Sequence, residues 1–219
     1  MASGRRLFYF IVFVGWSTSN IFSQYAEADW ESRDEWMNVP ALMELLAIDT
    51  GDYVADIGCH EGYFSFHLSR TVGPKGKVYA VDVEERRLEA LTEHMATRNI
   101  SNIQAVLGDY DDPKLPDNRL DAVMVMDTYH EIDSYEVVLA HIRKALKPDG
   151  RLVLIEKLKE HKRGKSRKEQ VQAHTLSSKY VKKELKIAGF EVKEYIDDFG
   201  HWKNESDKQI WVLVAIPKN

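Results

Sequence analysis

The sequence predicts a single α/β domain, a parallel sheet with helices on both faces. Three observations carry this reading. Short β-rich apolar runs alternate with amphipathic helical stretches from residue 52 onward. Residues 152–155 are near-continuously apolar, as strands buried on both faces are. The chain has 219 residues, 44% hydrophobic and 30% charged, which suits one globular domain and excludes a disordered or polytopic membrane chain.

Each element has its own signal. Residues 28–47 form a helical preface, because Trp30, Trp36, Met37, Leu42, Leu45 and Leu46 recur near helical spacing. Pro40 is expected to divide it. The first strand covers 53–57. Phe64, His67, Leu68 and Thr71 trace one side of the next helix, which stops before Gly73-Pro74. The second strand covers 77–81, and Leu88, Leu91 and Met95 mark the helix after it. The third and fourth strands cover 103–107 and 122–126. Asp133 with Glu136 reads as a helix start with a reciprocal cap, and Val138, Ile142 and Ala145 form its buried stripe. Lys147-Pro148-Asp149-Gly150 is a turn by composition. After the fifth strand, a helix over 178–188 stops at Gly189, and strands over 191–199 and 209–216 close the chain.

The N-terminus differs in kind. Arg5 and Arg6 precede the apolar run 7–16, followed by polar residues 17–20. That run is too short to span a bilayer as a helix but suits the core of an export signal. Ile21 and Ser23 fit the positions before a cleavage point at Gln24. Basic residues ahead of the run and Glu27, Asp29 and Glu31 after it place the remainder outside the cytoplasm, either exported or anchored facing the periplasm. It stays cytoplasmic if the signal is not used. The chain therefore divides into a signal peptide or anchor (1–23), a helical preface (24–50) and the α/β domain (51–219).

A net charge of −5 argues against a nucleic-acid partner. The single cysteine, Cys59, cannot form an internal disulfide. The strongest chemical signal is Val54-Ala55-Asp56-Ile57-Gly58-Cys59-His60-Glu61-Gly62-Tyr63-Phe64, a strand running through a glycine-bearing turn into a helix. Such a turn lies at the carboxyl end of its strand, where ligands bind and the backbone can approach them closely. Asp82, followed by Val83, ends the second strand about 20 residues on, the right type and place to hold ribose hydroxyls. Gly108-Asp109 ends the third strand with an acid able to accept from an adenine amino group, and Asp127 follows the fourth.

At these residues the sequence resembles the class I S-adenosylmethionine-dependent methyltransferases, most closely a bacterial subgroup whose members often carry export signals. The resemblance covers about residues 30–217 and is carried by ADIGCHEGYFSF, GPKGKVYAVDV, VLGDYDDPKLP, DAVMVMDTYHEI and ALKPDGRLVLIE. It implies a Rossmann-like, doubly wound, mostly parallel sheet of seven strands, the last antiparallel. It implies S-adenosyl-L-methionine as cofactor and no metal. It also implies that Asp56, Gly58 and Gly62 lie against the methionine part, Asp82 against the ribose and Asp109 against adenine. The family's loop is Gly-x-Gly-x-Gly, and here the middle position is His60. That is tolerable if the residue has ordinary negative φ and points outward.

Asp127-Thr128-Tyr129-His130-Glu131 faces the substrate side in this architecture. His130, with an ordinary pKa near 6.5, is the candidate general base and Asp127 its companion. A metal site at His130, Glu131 and Asp133 lacks a second ligand pair at convincing spacing. Tyr63, Trp30 and Trp36 are candidate walls for a sulfonium, and Arg33 reads as part of a solvated helix face. The run 157–168 carries seven basic residues and reads as a mobile, solvated loop. It and residues 7–16 are the two candidate membrane contacts. His174 and Thr175 follow the run and can return toward the pocket.

The expected acceptor is a small molecule or a lipid. Two other readings stay open: a non-catalytic binding module that keeps the fold, and a nicotinamide-dependent reductase. Against the reductase, Gly-x-Gly-x-x-Gly is missing, and Tyr110-x-x-x-Lys114 is interrupted by Pro113.

Overall fold

The computed structural model describes residues 30–203 and 205–218. The export signal and its cleavage point lie outside the described residues. Two short helices, α1 (Trp30–Met37) and α2 (Val39–Leu46), precede the sheet. They part at Asn38, which has φ +48°, and Pro40 stands inside the first turn of α2 rather than at the break. Proline fits there because that turn's amides have no intrahelical partner.

The order then runs β1 (Tyr53–Ile57), α3 (Tyr63–Val72), β2 (Lys77–Asp82), α4 (Glu85–Thr97), β3 (Ile103–Leu107), β4 (Leu120–Met126), α5 (Tyr135–Ala145) and β5 (Leu146–Lys159). It finishes with α6 (Arg167–Val171), α7 (Ser178–Ile187), β6 (Phe190–Trp202) and β7 (Glu205–Pro217). The seven strands lie in the order β3-β2-β1-β4-β5-β7-β6. Pairing is parallel from β3 to β5, and β7 is antiparallel to both neighbours. The expected Rossmann-like architecture is therefore present. Two boundary expectations change. Helix α5 begins after Ser134 with no side-chain cap, so Asp133 and Glu136 do not form a reciprocal pair. The turn at 147–150 appears as a jump in register, with Leu120 opposite Leu146 and Ala122 opposite Arg151.

The core splits by residue parity, as side chains alternate across a strand. Val54, Val78, Ala80, Met124 and Val153 face α2, α3 and α4. Ala55, Val81, Val123, Val125 and Leu154 face α5 and α7. Burial on both faces explains the unbroken apolar runs in β4 and β5. Among the described residues, no helix is long and apolar enough to cross a membrane.

Candidate active site

The central strand tips are tied together. The amides of Gly58 and Cys59 donate to the Val81 carbonyl at 2.8 and 3.0 Å. That of Gly108 donates to the Asp82 carbonyl at 3.0 Å, and that of Asp127 to the Ile155 carbonyl at 2.8 Å. These bonds align the tips of β1 to β5 on the edge where strand order reverses, between β1 and β4. Gly58 has φ +75°, and a Cβ there would overlap the Thr128 side chain, so the loop after β1 packs directly on the loop after β4. Gly62 caps α3 at φ +99°.

His60 departs from expectation. Its φ is +52°, not negative, a left-handed conformation that costs a non-glycine residue about 1–2 kcal/mol. In that conformation its amide donates to Asp82 Oδ2 at 2.9 Å. Burial, then Arg87, Arg33 and Arg86, hold its imidazole down to about 4, so it is neutral near pH 7. Asp82 Oδ1 accepts from the Glu84 amide at 3.0 Å, and the Arg87 guanidinium stands 3.7 Å away. A carboxylate offers about four acceptor directions, so this buried group keeps acceptor capacity for a further donor pair. Val83 beside it is 39% exposed, an apolar surface at the same edge. Asp109 is on the adjoining tip but turns to solvent, with its carboxylate 3.1 Å from Lys114 and 63% exposed.

Asp56 points from β1 toward α3 and accepts from Ser65 Oγ at 2.6 Å. Burial outweighs Ser65 and Arg33 and pushes its carboxyl up to about 6. Arg33 is not on a solvated face. It is 5% exposed, with its guanidinium 4.3 Å from the Tyr63 ring centroid and 5.7 Å from that of Trp202. It also donates to Met126 Sδ at 3.2 Å. Aromatic faces supply part of what water would give a cation, and Arg buries well on them. The expected Trp30/Trp36 wall divides. Trp36 stacks with Trp202 at 4.8 Å between ring centroids, while Trp30 packs on Tyr63 and Phe66 at 6.2 and 5.5 Å. Tyr63 donates its phenol to Asp34 at 2.7 Å.

Four buried charged or titratable groups meet at the tips of β4 and β5. Asp127, at φ +50°, is bonded to the Lys157 ammonium. His130 Nδ1 lies 2.9 and 3.0 Å from the two Glu156 oxygens, and the His130 amide donates to Glu156 Oε1 at 3.0 Å. Burial alone would lower the His130 pKa. The Glu156 charge and hydrogen bond, with help from Asp127, reverse this against opposition from Lys157, and the net direction is upward from 6.5. Atoms of Asp127, His130 and Glu156 lie within 4.8 Å of one another, and the Lys157 ammonium supplies the compensating positive charge. Toward the surface, His130 Nε2 is 3.9 Å from Glu131, and Glu131 is 3.8 Å from His174 Nδ1. His174, not Asp133, joins that group.

The basic run is not a loop throughout. Residues 157–159 continue β5, with Lys157 and Leu158 buried. Arg163 pairs with Glu160, Arg167 with Glu184, and Ser166 forms a capping box with Glu169 at the start of α6. Thr175 is buried, accepting from the Lys159 amide and donating to the Lys157 carbonyl, and this brings His174 back to the site.

Residues 54–150 match a family described as a methyltransferase domain. A S-adenosylmethionine-dependent methyltransferase from Aquifex aeolicus superposes with a TM-score of 0.74 at 25% identity, covering 89% of this chain and 97% of that one. Over this domain the chain is similar to class I S-adenosylmethionine-dependent methyltransferases. The domain is 31% identical over 138 residues to the demethylmenaquinone methyltransferase of Staphylococcus carnosus, a match covering 63% of this chain and 53% of that protein. The chain thus spans about half the length of the curated relatives it matches. The [4+2]-cyclase SpnF shares the fold alone, with a TM-score of 0.69 at 18% identity over 83% of this chain and 80% of that one.

The strand tips are compatible with the donor that such domains use. Gly58 leaves no Cβ between the loops of β1 and β4, Asp82 retains acceptor capacity, and Val83 offers an apolar surface beside it. Sequence reasoning missed Glu156 and Trp202 and placed Lys157 in a loop. Glu156-Lys157 had a signal, a charged pair directly after a strand buried on both faces. Trp202 had none, because its position depends on how far β6 extends beside β7.

Proposed function

We propose that this chain transfers a methyl group from S-adenosylmethionine to a small-molecule acceptor. The observation that carries the proposal is the contact between Gly58 and Thr128, which sets the glycine loop of β1 against the Asp127–His130 loop of β4. Asp56, Gly58, Gly62 and Tyr63 border the methionine part of the donor. Asp82 holds the ribose, and Val83 and Gly108 border adenine, while Asp109, expected there, turns to Lys114 instead. Asp127 borders the methyl end, and His130 is the acceptor-side base. The donor supplies an electrophilic methyl on sulfonium. The protein's part is alignment, which contributes much of the rate in an in-line displacement.

Calorimetry on the full chain tests this. S-adenosylmethionine and S-adenosylhomocysteine bind, and NADPH does not; binding of NADPH alone overturns the reading. Asp82→Ala removes a hydrogen-bonded ribose and costs roughly 1–3 kcal/mol of donor affinity. An unchanged dissociation constant counts against the assignment. The relatives' name supplies the first acceptor to try, demethylmenaquinone in its reduced form. The pattern of residues 5–31 supports placing the chain outside the cytoplasm, and a compartment-sensitive reporter fused at the C-terminus checks it.

A further inference from the structure

We infer that Glu156 is the positioning residue for His130, fixing the imidazole so that Nε2 takes a proton from an ionisable hydroxyl of the acceptor. The inference rests on the proposed methyl transfer and names the acceptor's chemistry. Glu156 is 1% exposed and grips His130 at two points. Its carboxylate receives both the backbone amide and Nδ1, the latter near both oxygens. A carboxylate accepts only, so the ring nitrogen facing it carries the hydrogen. That leaves Nε2 as the lone-pair nitrogen of the neutral ring.

His130 is itself buried, 3% exposed, and Nε2 lies 3.9 Å from the Glu131 carboxylate. Glu131 and His174 flank it there, with side chains 57% and 72% exposed. The other charged groups act on the ring by charge from farther off than Glu156. Lys157 is bonded to Asp127, and Asp127 stands 4.0 Å from His130 Nδ1, beyond hydrogen-bond reach. The groups facing His130 are therefore Glu156 and Lys157 on β5, Asp127 after β4, Glu131 in the turn 129–131, and His174 after α6.

A base so held is of use only if the acceptor must lose a proton to become a nucleophile. In the step, Nε2 receives the hydroxyl proton. The electron pair released, on oxygen or on a ring carbon conjugated with it, forms the bond to the methyl carbon. The carbon–sulfur bond of the donor breaks with its pair on sulfur, leaving a thioether. The imidazolium formed beside Glu156 passes its proton to water.

Nitrogen-15 spectra of histidine-labelled full chain test the inference without turnover, with His130 assigned by the signal lost in His130→Gln. The expected spectrum has hydrogen on Nδ1 and a bare Nε2 above the titration midpoint, with the midpoint lower in Glu156→Gln than in the native protein. Hydrogen on Nε2, or an unmoved tautomer and midpoint in Glu156→Gln, overturns it. Should that variant not fold, Glu156→Asp keeps the charge at shorter reach, and the native tautomer alone still decides.

With 1,4-naphthohydroquinone as acceptor, Glu156→Gln is expected to lower kcat at least about tenfold and to move the acid limb of its pH profile downward. KM and donor affinity should be unchanged. A loss with the acid limb in place means a structural role only, and overturns the inference. If calorimetry finds no donor binding, the proposed function fails, while the spectra still report on the dyad.

Discussion

Asp56 and His60 sit a few residues apart and are shifted in opposite senses by the same burial. The Asp56 carboxyl is raised from 3.8 to about 6, so the folded state holds its proton where the unfolded chain has released it. Its contribution to stability is complete below about pH 4 and is lost as pH rises through about 6. The His60 imidazole is lowered from 6.5 to about 4, so its contribution is present above pH 6.5 and is lost as pH falls through about 4. The two slopes oppose each other in one window. Asp56→Asn should therefore gain stability relative to the native protein as pH rises from 4 to 6, by up to about 3 kcal/mol. His60→Gly should remove the acid-side loss and relieve the left-handed backbone at φ +52°. The relief, about 1 kcal/mol, is partly cancelled by the entropy glycine adds to the unfolded chain. Chemical denaturation at a series of pH values checks both, and parallel stability curves for native and Asp56→Asn would refute the first.

Helix α1 has almost no amphipathic pattern, and it docks through the buried Arg33 together with Met37 at its end. Arg33 reaches between Tyr63 of α3 and Trp202 of β6, while Trp36 closes on Trp202. Trp202→Ala removes a side chain that is 6% exposed, and a deletion of this kind costs about 3–5 kcal/mol. The same deletion leaves Arg33 and Trp36 without their shared wall. Hydrogen exchange should then rise in residues 30–37 well beyond any change in β1 or β4. Equal protection in α1 before and after the substitution would show that the helix is held by something else. This docking was not legible beforehand. Arg33 lies among Glu31, Asp34 and Glu35, and such a run reads as a wet face until a tryptophan from more than 160 positions later covers it.

The two halves of the molecule meet at Gly58 and Thr128. A Cβ at Gly58 overlaps the threonine side chain, and the backbone there has φ +75°. Gly58→Ala therefore pushes the donor loop off the acceptor loop and strains the turn as well. We expect donor affinity to fall at least about tenfold, a cost of about 1.4 kcal/mol or more. Thr128→Gly in the same chain removes the overlap but not the unfavourable φ, so it should restore part of the loss. Calorimetry of the single and double variants gives the coupling. Purely additive effects would mean that the two loops do not constrain each other.

The sequence by itself determined the sheet, the order of its elements and the acidic ends of its first four strands, because these follow from local patterning: alternation of apolar residues, glycine at turns, and an Asp at or beside the end of each of those four strands. It also located the two loops that border the site, since both follow directly from strands buried on both faces. The tertiary structure alone decided which groups those loops meet. Glu156 grips His130 across 26 positions of chain, Lys157 neutralises Asp127, Trp202 roofs Arg33, and Asp109 turns away to Lys114. Partners of that kind are chosen by packing between distant segments in a low-dielectric interior. There a charge is tolerated only where another surface supplies its counter-charge or an aromatic face, and no periodicity along the chain records that choice.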